Sequence, residues 1–523
     1  MISSGFLYAL ILIAGFIGIM FILDKFDLLE PLGMEMAGPL LMWKTKKGRD
    51  LIDRIAQKKR LWEIYGSLGL VIVAIAMVII FLMVFFNAYV ATQIPAERAP
   101  QADEILVIPG VNPFIPVGYG ILSLAVGIIV HEFSHGILSR VADVKIKSLG
   151  LIFLVVPLGA FVEPDEEELE KTERIKRDRM FAAGATSNIV LAIVLVLIFS
   201  MVFMGSLSAQ EDGVMIRGVY EDTPAAEADM KSYEQIVEID GEEIKGISDM
   251  GTLNINITEM DEENEKTLRG VEVRVRKGKE HQTYKNVTPG LVVVGIVEDS
   301  PAHYEGLDTG IILHQINETP IRNRKELRDT LSEHGSERIN LTYWQKVDSE
   351  YEKDHINLTL DEGFLGVNMG YFGIAYADAD WFPNLLSRPL SAGRSGLQPM
   401  RFYFQNAATY ISFPLLGLSP VPEEIAGLYE ITGPLSVLPT NAFWILANSI
   451  YWIFWLNILL GLFNALPAIP LDGGHLFKDA VEALSERLGL NEKTGEKLSS
   501  GMTYALALLV LFLLMWSMIG PRV

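Results

Sequence analysis

Cysteine is absent from this 523-residue chain. Its absence removes disulfides, thiol nucleophiles and thiolate metal ligands, so any metal must be held by His and carboxylate. Positive charge is also scarce, with 43 Lys and Arg against 65 Asp and Glu and a formal net charge of −22. Nucleic-acid binding needs a basic face, and nothing here supplies one. The acidic excess is local: residues 206–362 hold 34 Asp and Glu against 17 Lys and Arg. That block therefore reads as a well-solvated domain. Elsewhere charge is missing over long runs, half the residues are hydrophobic, and the mean hydropathy is +0.29. Length and hydropathy together point to a polytopic membrane part plus a soluble part.

Six apolar segments, 3–23, 67–90, 117–139, 180–204, 441–463 and 499–519, free of charge except for Glu132 in the third, approach or exceed spanning length. The first lacks a basic stretch before it, and its charges follow instead, so it reads as a membrane anchor with its N-terminus outside. Lys44, Lys46, Lys47, Arg49, Arg54, Lys58, Lys59 and Arg60 place the next loop in the cytoplasm, as do Lys171, Arg174, Lys176, Arg177 and Arg179 for 140–179. On this topology 206–362 lies outside. All five N-x-[ST] sequons, at Asn256, Asn286, Asn317, Asn340 and Asn357, fall within it.

From Ile105 to Val130 no residue is charged, and then His131-Glu132-Phe133-Ser134-His135 arrives on the third apolar segment. Residues four apart on a helix share a face about one turn apart, so both imidazoles can grip one ion with Glu132 beside it as a base. This is the HExxH spacing of zinc hydrolases. A charge at bilayer depth costs about 2.5–3.5 kcal/mol on the most lenient scale, which argues that the residues are used. HExxH alone remains a short pattern, and the site needs a third ligand.

The soluble block contains a repeat. Thr223-Pro224-Ala225, Met230, Ile236, Ile239-Asp240-Gly241 and Ile244 recur 77 residues later as Ser300-Pro301-Ala302, Leu307, Leu313, Ile316-Asn317 and Ile321. One recurrence at that spacing means two copies of a small α+β domain. The pattern resembles PDZ domains of the protease-associated type, and it predicts PDZ-like domains over 206–288 and 289–362. The second copy matches better, with Ile311 and Ile312 where Gly-Asp is usual; the first has Tyr233-Glu234 there and an acidic insertion around Met260–Lys266. Residues 363–438 are expected to form a linker and a membrane-associated segment. Domains 1–205 and 439–523 are then the two membrane parts. Five histidines, at 281, 303, 314, 334 and 355, lack ligand spacing and read as ordinary residues of the soluble block.

Two further segments bear on the site. Residues 148–162 are charge-free, β-prone and too short to span, and predict a re-entrant β element, with Phe153 and Leu154 on the edge that would receive a substrate strand. Far downstream, Asn464-Ala465-Leu466-Pro467-Ala468-Ile469-Pro470-Leu471-Asp472-Gly473-Gly474-His475 places Asp472 at membrane depth, after an uncharged run from Ile431. An Asp at a helix start is equally an N-cap. His475 reads either as a fourth ligand or as an interfacial residue, and the second is preferred because four protein ligands would close the site to water.

These motifs together resemble the site-2 protease family of intramembrane zinc metalloproteases. The resemblance runs through His131–Gly136, Phe161-Val162-Glu163-Pro164-Asp165, Ala182-Ala183-Gly184 with Asn188, the PDZ-like copies, Thr432-Gly433-Pro434 and the Asn464–Gly474 run. It departs at Ala465 and at Ala185-Thr186, neither of which is a ligand position. The resemblance implies one zinc per chain on His131, His135 and Asp472, Glu132 as catalytic base, and Asn464 contacting the substrate backbone or oxyanion. It implies cleavage of transmembrane segments of single-pass membrane proteins within the lipid bilayer, with peptide or protein ligands of the PDZ-like domains as further partners. A non-catalytic scaffold with a structural metal and a transporter are the alternatives. Retention of Glu132 speaks against the first, and the lack of symmetry between membrane halves against the second.

Overall fold

The computed structural model describes residues 4–522, apart from 97, 98, 100, 106, 155, 254–257, 261–265, 349 and 388–407. The chain divides into two compact units: Met1–Phe199 with Leu446–Val523, and Ser200–Ile445.

Among the described residues, five helices are long and apolar enough to cross a bilayer: Lys59–Ala91, Val117–Val141, Arg174–Ser206, Thr440–Asn464 and Glu492–Arg522. Each contains one of the expected segments and extends beyond it, because a helix continues through polar residues once its apolar part has formed. The first expected segment is helical over Ser4–Lys25. Small residues set how these helices approach. Along Lys59–Ala91 the buried positions Gly66, Gly69, Val73, Ala76, Ile80, Val84 and Ala88 recur every three or four residues. A β-carbon on Gly69 would lie 2.6 Å from Thr186 Oγ1 of the Arg174–Leu197 helix, so only glycine allows this separation. The HExxH helix, Val117–Val141, carries a similar stripe of Gly120, Ser123, Gly127 and His131, which places the first imidazole on the packed side.

A four-stranded antiparallel sheet accompanies these helices, in the order β1 (Met34–Ala37), β2 (Leu40–Thr45), β3 (Ile146–Leu154), β4 (Val156–Pro164). The β element expected over 148–162 is thus a hairpin, and residues 34–45 extend it with a second hairpin. Lys44 of β2 is held by Glu35 of β1 at 2.6 Å. The placement of Phe153 and Leu154 on the free edge is corrected. Phe153 faces Leu41 on β2 and Pro157 on β4, and Leu154 faces Val156, so their strand is paired on both sides. The free edges belong to β1 and β4. Gly150 lies opposite Phe161, whose ring would be 2.4 Å from any β-carbon there.

The second unit contains two like sheets beside two short strand pairs. One runs Glu280–Val287, Val271–Lys277, Gln235–Ile239, Val214–Val219, Ile374–Asp378; the other runs Glu350–Thr359, Arg338–Val347, Ile312–Ile316, Leu291–Ile296, Val367–Tyr371. The 77-residue displacement is structural: strands start at Val214 and Leu291 and helices at Pro224 and Pro301. Left-handed backbone recurs at Asp222 and Asp299, Tyr233 and Gly310, and Asp240 and Asn317. Gly310 therefore occupies the glycine position of the usual Gly-Asp, one residue before the Ile311 expected there.

In the first copy Glu234 is buried but satisfied, accepting from Tyr284 Oη at 3.0 Å and from the Lys231 amide at 3.1 Å. Burial and that carboxylate hold the Tyr284 phenol well above its usual range.

Each sheet is completed by a strand beyond residue 362. Val367–Tyr371 closes the second sheet against Leu291–Ile296, and Ile374–Asp378 closes the first against Val214–Val219. The second copy is consequently inserted inside the first, and the two share one apolar core that includes Ile236, Val273, Val293 and Leu313. Consecutive segments 206–288 and 289–362 could not anticipate this, since two five-residue strands carry no label for the sheet they join. Part of the acidic insertion, Asn256 and residues 401–407 lie outside the described residues.

Candidate metal centre

His131 and His135 project from one face of Val117–Val141, with their Nε2 atoms 3.2 Å apart. Asp472 is the first residue of the helix Asp472–Arg487, whose N-cap is Leu471, so it does not cap that helix. Its Oδ2 lies 3.4 Å from Nε2 of each imidazole. A tetrahedral ion with ligands at about 2.0–2.1 Å requires ligand atoms roughly 3.3–3.4 Å apart. The triangle of 3.2, 3.4 and 3.4 Å has that size. Asp472 Oδ2 is buried without a hydrogen-bond partner. An orphaned carboxylate oxygen between two imidazole nitrogens is costly unless a cation joins them. The residues fit zinc, and among the described residues these three form the one His and carboxylate cluster tight enough to hold a metal.

The local sequence explains how Asp472 reaches the site. The segment after Thr440–Asn464 turns back, and both following glycines press on its backbone. A β-carbon on Gly473 would be 2.2 Å from the Ala465 carbonyl oxygen, and one on Gly474 would be 2.5 Å from Ile469 N. The Asp472–Arg487 helix is then clamped to Arg174–Leu197. Arg174 bonds both carboxylate oxygens of Glu486, at 2.6 and 2.9 Å, and Arg177 reaches the buried Asp479 at 2.8 Å. Paired charges with several hydrogen bonds hold direction better than apolar contact does.

The Arg174–Leu197 helix also shapes the space between the imidazoles. Gly184 faces them so closely that a β-carbon would be 2.4 Å from His131 Cε1 and 2.5 Å from both Nε2 atoms. Met180 accepts through its carbonyl from His135 Nδ1 at 2.8 Å, which leaves Nε2 free as a ligand. Glu132 lies next to this group and accepts from the Val162 amide of β4 at 3.1 Å. Val162 is paired across from Leu149 of β3, yet its N–H points away to Glu132, so the free edge of β4 faces that carboxylate.

The sequence also pointed to His475, to Asn464 and to the histidines of the soluble block. His475 stands outside the cluster and stacks on Phe181, with centroids 4.8 Å apart. Asn464 ends its helix and donates back to the Leu460 carbonyl at 3.1 Å, so it is not brought to the three ligands. In the soluble block His281 pairs with Glu211, His334 with Glu337, and His303 accepts the Asp299 amide. The Met180 carbonyl and the Val162 amide were invisible in the sequence because backbone groups carry no residue label.

The profile of peptidase family M50 matches residues 119–510, most of the chain. An uncharacterised protein of Methanocaldococcus jannaschii is 27% identical over 258 residues, 49% of this chain and 64% of that protein. A Neisseria meningitidis protein carrying a provisional zinc metalloprotease name is 23% identical over 445 residues, 75% of this chain and 96% of that one. Zinc metalloprotease RasP of Shouchella clausii is 25% identical over 45% of this chain and 52% of its own length. With the ligand cluster, the membrane helices and the family match in place, the chain belongs to peptidase family M50, the site-2 protease family of zinc metalloproteases.

Proposed function

We propose that this protein is an intramembrane endopeptidase that cuts transmembrane segments of single-pass membrane proteins. The observation that carries the reading is the His131, His135 and Asp472 triangle with Glu132 beside it, both histidines and Glu132 standing on a helix apolar enough to span. When bound, zinc supplies Lewis-acid polarisation of the attacking water and the scissile carbonyl. Glu132 takes the proton from that water and delivers it to the leaving amine. The Val162 amide orients the carboxylate through Oε2.

A helix in lipid hides its peptide bonds, so the substrate must unwind before cleavage. The edge of β4 is suited to receive it. Side chains and amides alternate along a strand, so the Ala160 N–H shares the direction of the Val162 N–H. An unwound substrate strand would pair there, beside Glu132, and Asn464 would contact its backbone. The finer topology belongs to the same proposal: six spans counting Ser4–Lys25, the N-terminus and 206–362 outside, and the active site toward the cytoplasm. The two nested domains act as PDZ-like docking or size-filtering modules that take peptide or protein ligands.

The test is cleavage by the purified full-length protein of a reconstituted model single-pass peptide, with products mapped by mass spectrometry. The expected products break within the apolar segment, vanish with a zinc chelator and return on adding zinc. Cleavage confined to the soluble flanks, or cleavage that persists without metal, contradicts the proposal.

A further inference from the structure

We propose that Asn188 is the positioning residue of His131, accepting the Nδ1 proton through its side-chain oxygen and so presenting Nε2 to the metal. The argument starts from a match of spacing. His131 and His135 are four residues apart on one helix, and Met180, Gly184 and Asn188 are four apart on the helix facing it. That face does three things. Met180 O holds His135 Nδ1 at 2.8 Å, Gly184 clears the space at both Nε2 atoms, and Asn188 lies 3.2 Å from His131 Nδ1.

The amide of Asn188 is placed with its Nδ2 toward Nδ1, while its Oδ1 is buried with no hydrogen-bond partner. Asn188 has no solvent exposure, so bulk water does not reach that oxygen. A neutral imidazole that offers Nε2 to a cation must carry its proton on Nδ1. Nδ1–H is then a donor, and it cannot face a second donor. Amide oxygen and nitrogen have nearly the same shape, and the hydrogen-bond network decides which is which. Turning the amide by half a turn puts the orphaned oxygen on Nδ1–H. Both imidazoles then donate to acceptors on one helix, one a backbone carbonyl and the other a replaceable side chain. His135 is held by a carbonyl that no substitution removes; His131, which the Gly184 backbone also engages, has in residue 188 an acceptor that substitution can remove.

The test compares Asn188→Leu and Asn188→Asp in the full-length protein, with zinc affinity read by chelator competition. Thermal unfolding of the metal-free samples and the visible spectrum of the cobalt-loaded protein are recorded alongside. Asn188→Leu should weaken zinc binding about 10–100-fold, the usual cost of losing the partner of a ligating His. Asn188→Asp, whose carboxylate only accepts, should keep wild-type affinity or better and a wild-type cobalt spectrum. If Asn188 instead donates, the carboxylate must fail as the leucine does. Wild-type affinity in Asn188→Leu, or equal loss in both variants with unfolding unchanged, overturns the proposal. If Asn188→Leu does not fold, the affinity and spectrum of Asn188→Asp still decide. Since the readout is metal binding, failure of the proteolytic reading leaves this result separate.

Discussion

Histidine behaves oppositely in the two units of this protein. In Ser200–Ile445, His281, His334 and His355 each lie within 4.0 Å of one carboxylate, at exposed or partly exposed positions. In the membrane unit His131 and His135 turn Nε2 toward each other and toward a carboxylate oxygen without a hydrogen-bond partner. An arrangement that is cheap in water is expensive in lipid, so the second kind persists only where something binds it. The same residue type is therefore uninformative in one unit and diagnostic in the other.

Exchanging the two environments in a mutational test should break this symmetry most strongly at the ligands. Asp472→Ala is expected to reduce zinc from one per chain to nearly none, while His281→Ala leaves it at one and changes stability by no more than about 1 kcal/mol. Equal zinc content in the two purified variants would dissolve the contrast.

Glycine gives the next comparison. Gly184→Ala drives a methyl group into both imidazoles and should weaken zinc binding by at least about tenfold, whereas Gly218→Ala, with nothing within 4 Å, should do nothing. Chelator competition on both proteins measures the difference.

A smaller and more selective effect is expected at the sheet edge. Ala160→Pro removes one outward N–H from β4, a position where proline is sterically tolerated. Zinc content should stay at one per chain while kcat/KM falls about tenfold or more, that is ~1.4 kcal/mol of transition-state binding. An unchanged kcat/KM in a folded, zinc-loaded sample removes β4 from substrate binding.

The cluster was legible because its members are side chains in places where lipid forbids idle charge. His131, Glu132 and His135 interrupt an apolar run, and Asp472 ends another. The supporting shell was less legible. The Met180 carbonyl and Val162 amide act through backbone, and the Gly184 contact depends on how two helices meet. In the soluble unit the 77-residue repeat was readable from Pro224 and Pro301. The nesting was not, since Val367–Tyr371 and Ile374–Asp378 find their partners only across long sequence separations. Phe153 and Leu154 were assigned to an edge because a β-prone run does not disclose its neighbours; residues 40–45 cover that side. The Gly38-Pro39 turn between two short apolar runs was the available signal for that hairpin.

The central claim, that Glu132 does chemistry at a metal held by three other residues, is tested most directly by Glu132→Gln with zinc and cleavage measured on the same preparation. The substitution keeps shape and removes the base alone. One zinc per chain with loss of peptide cleavage is the expected result; cleavage at the wild-type rate, or loss of the zinc together with activity, contradicts it.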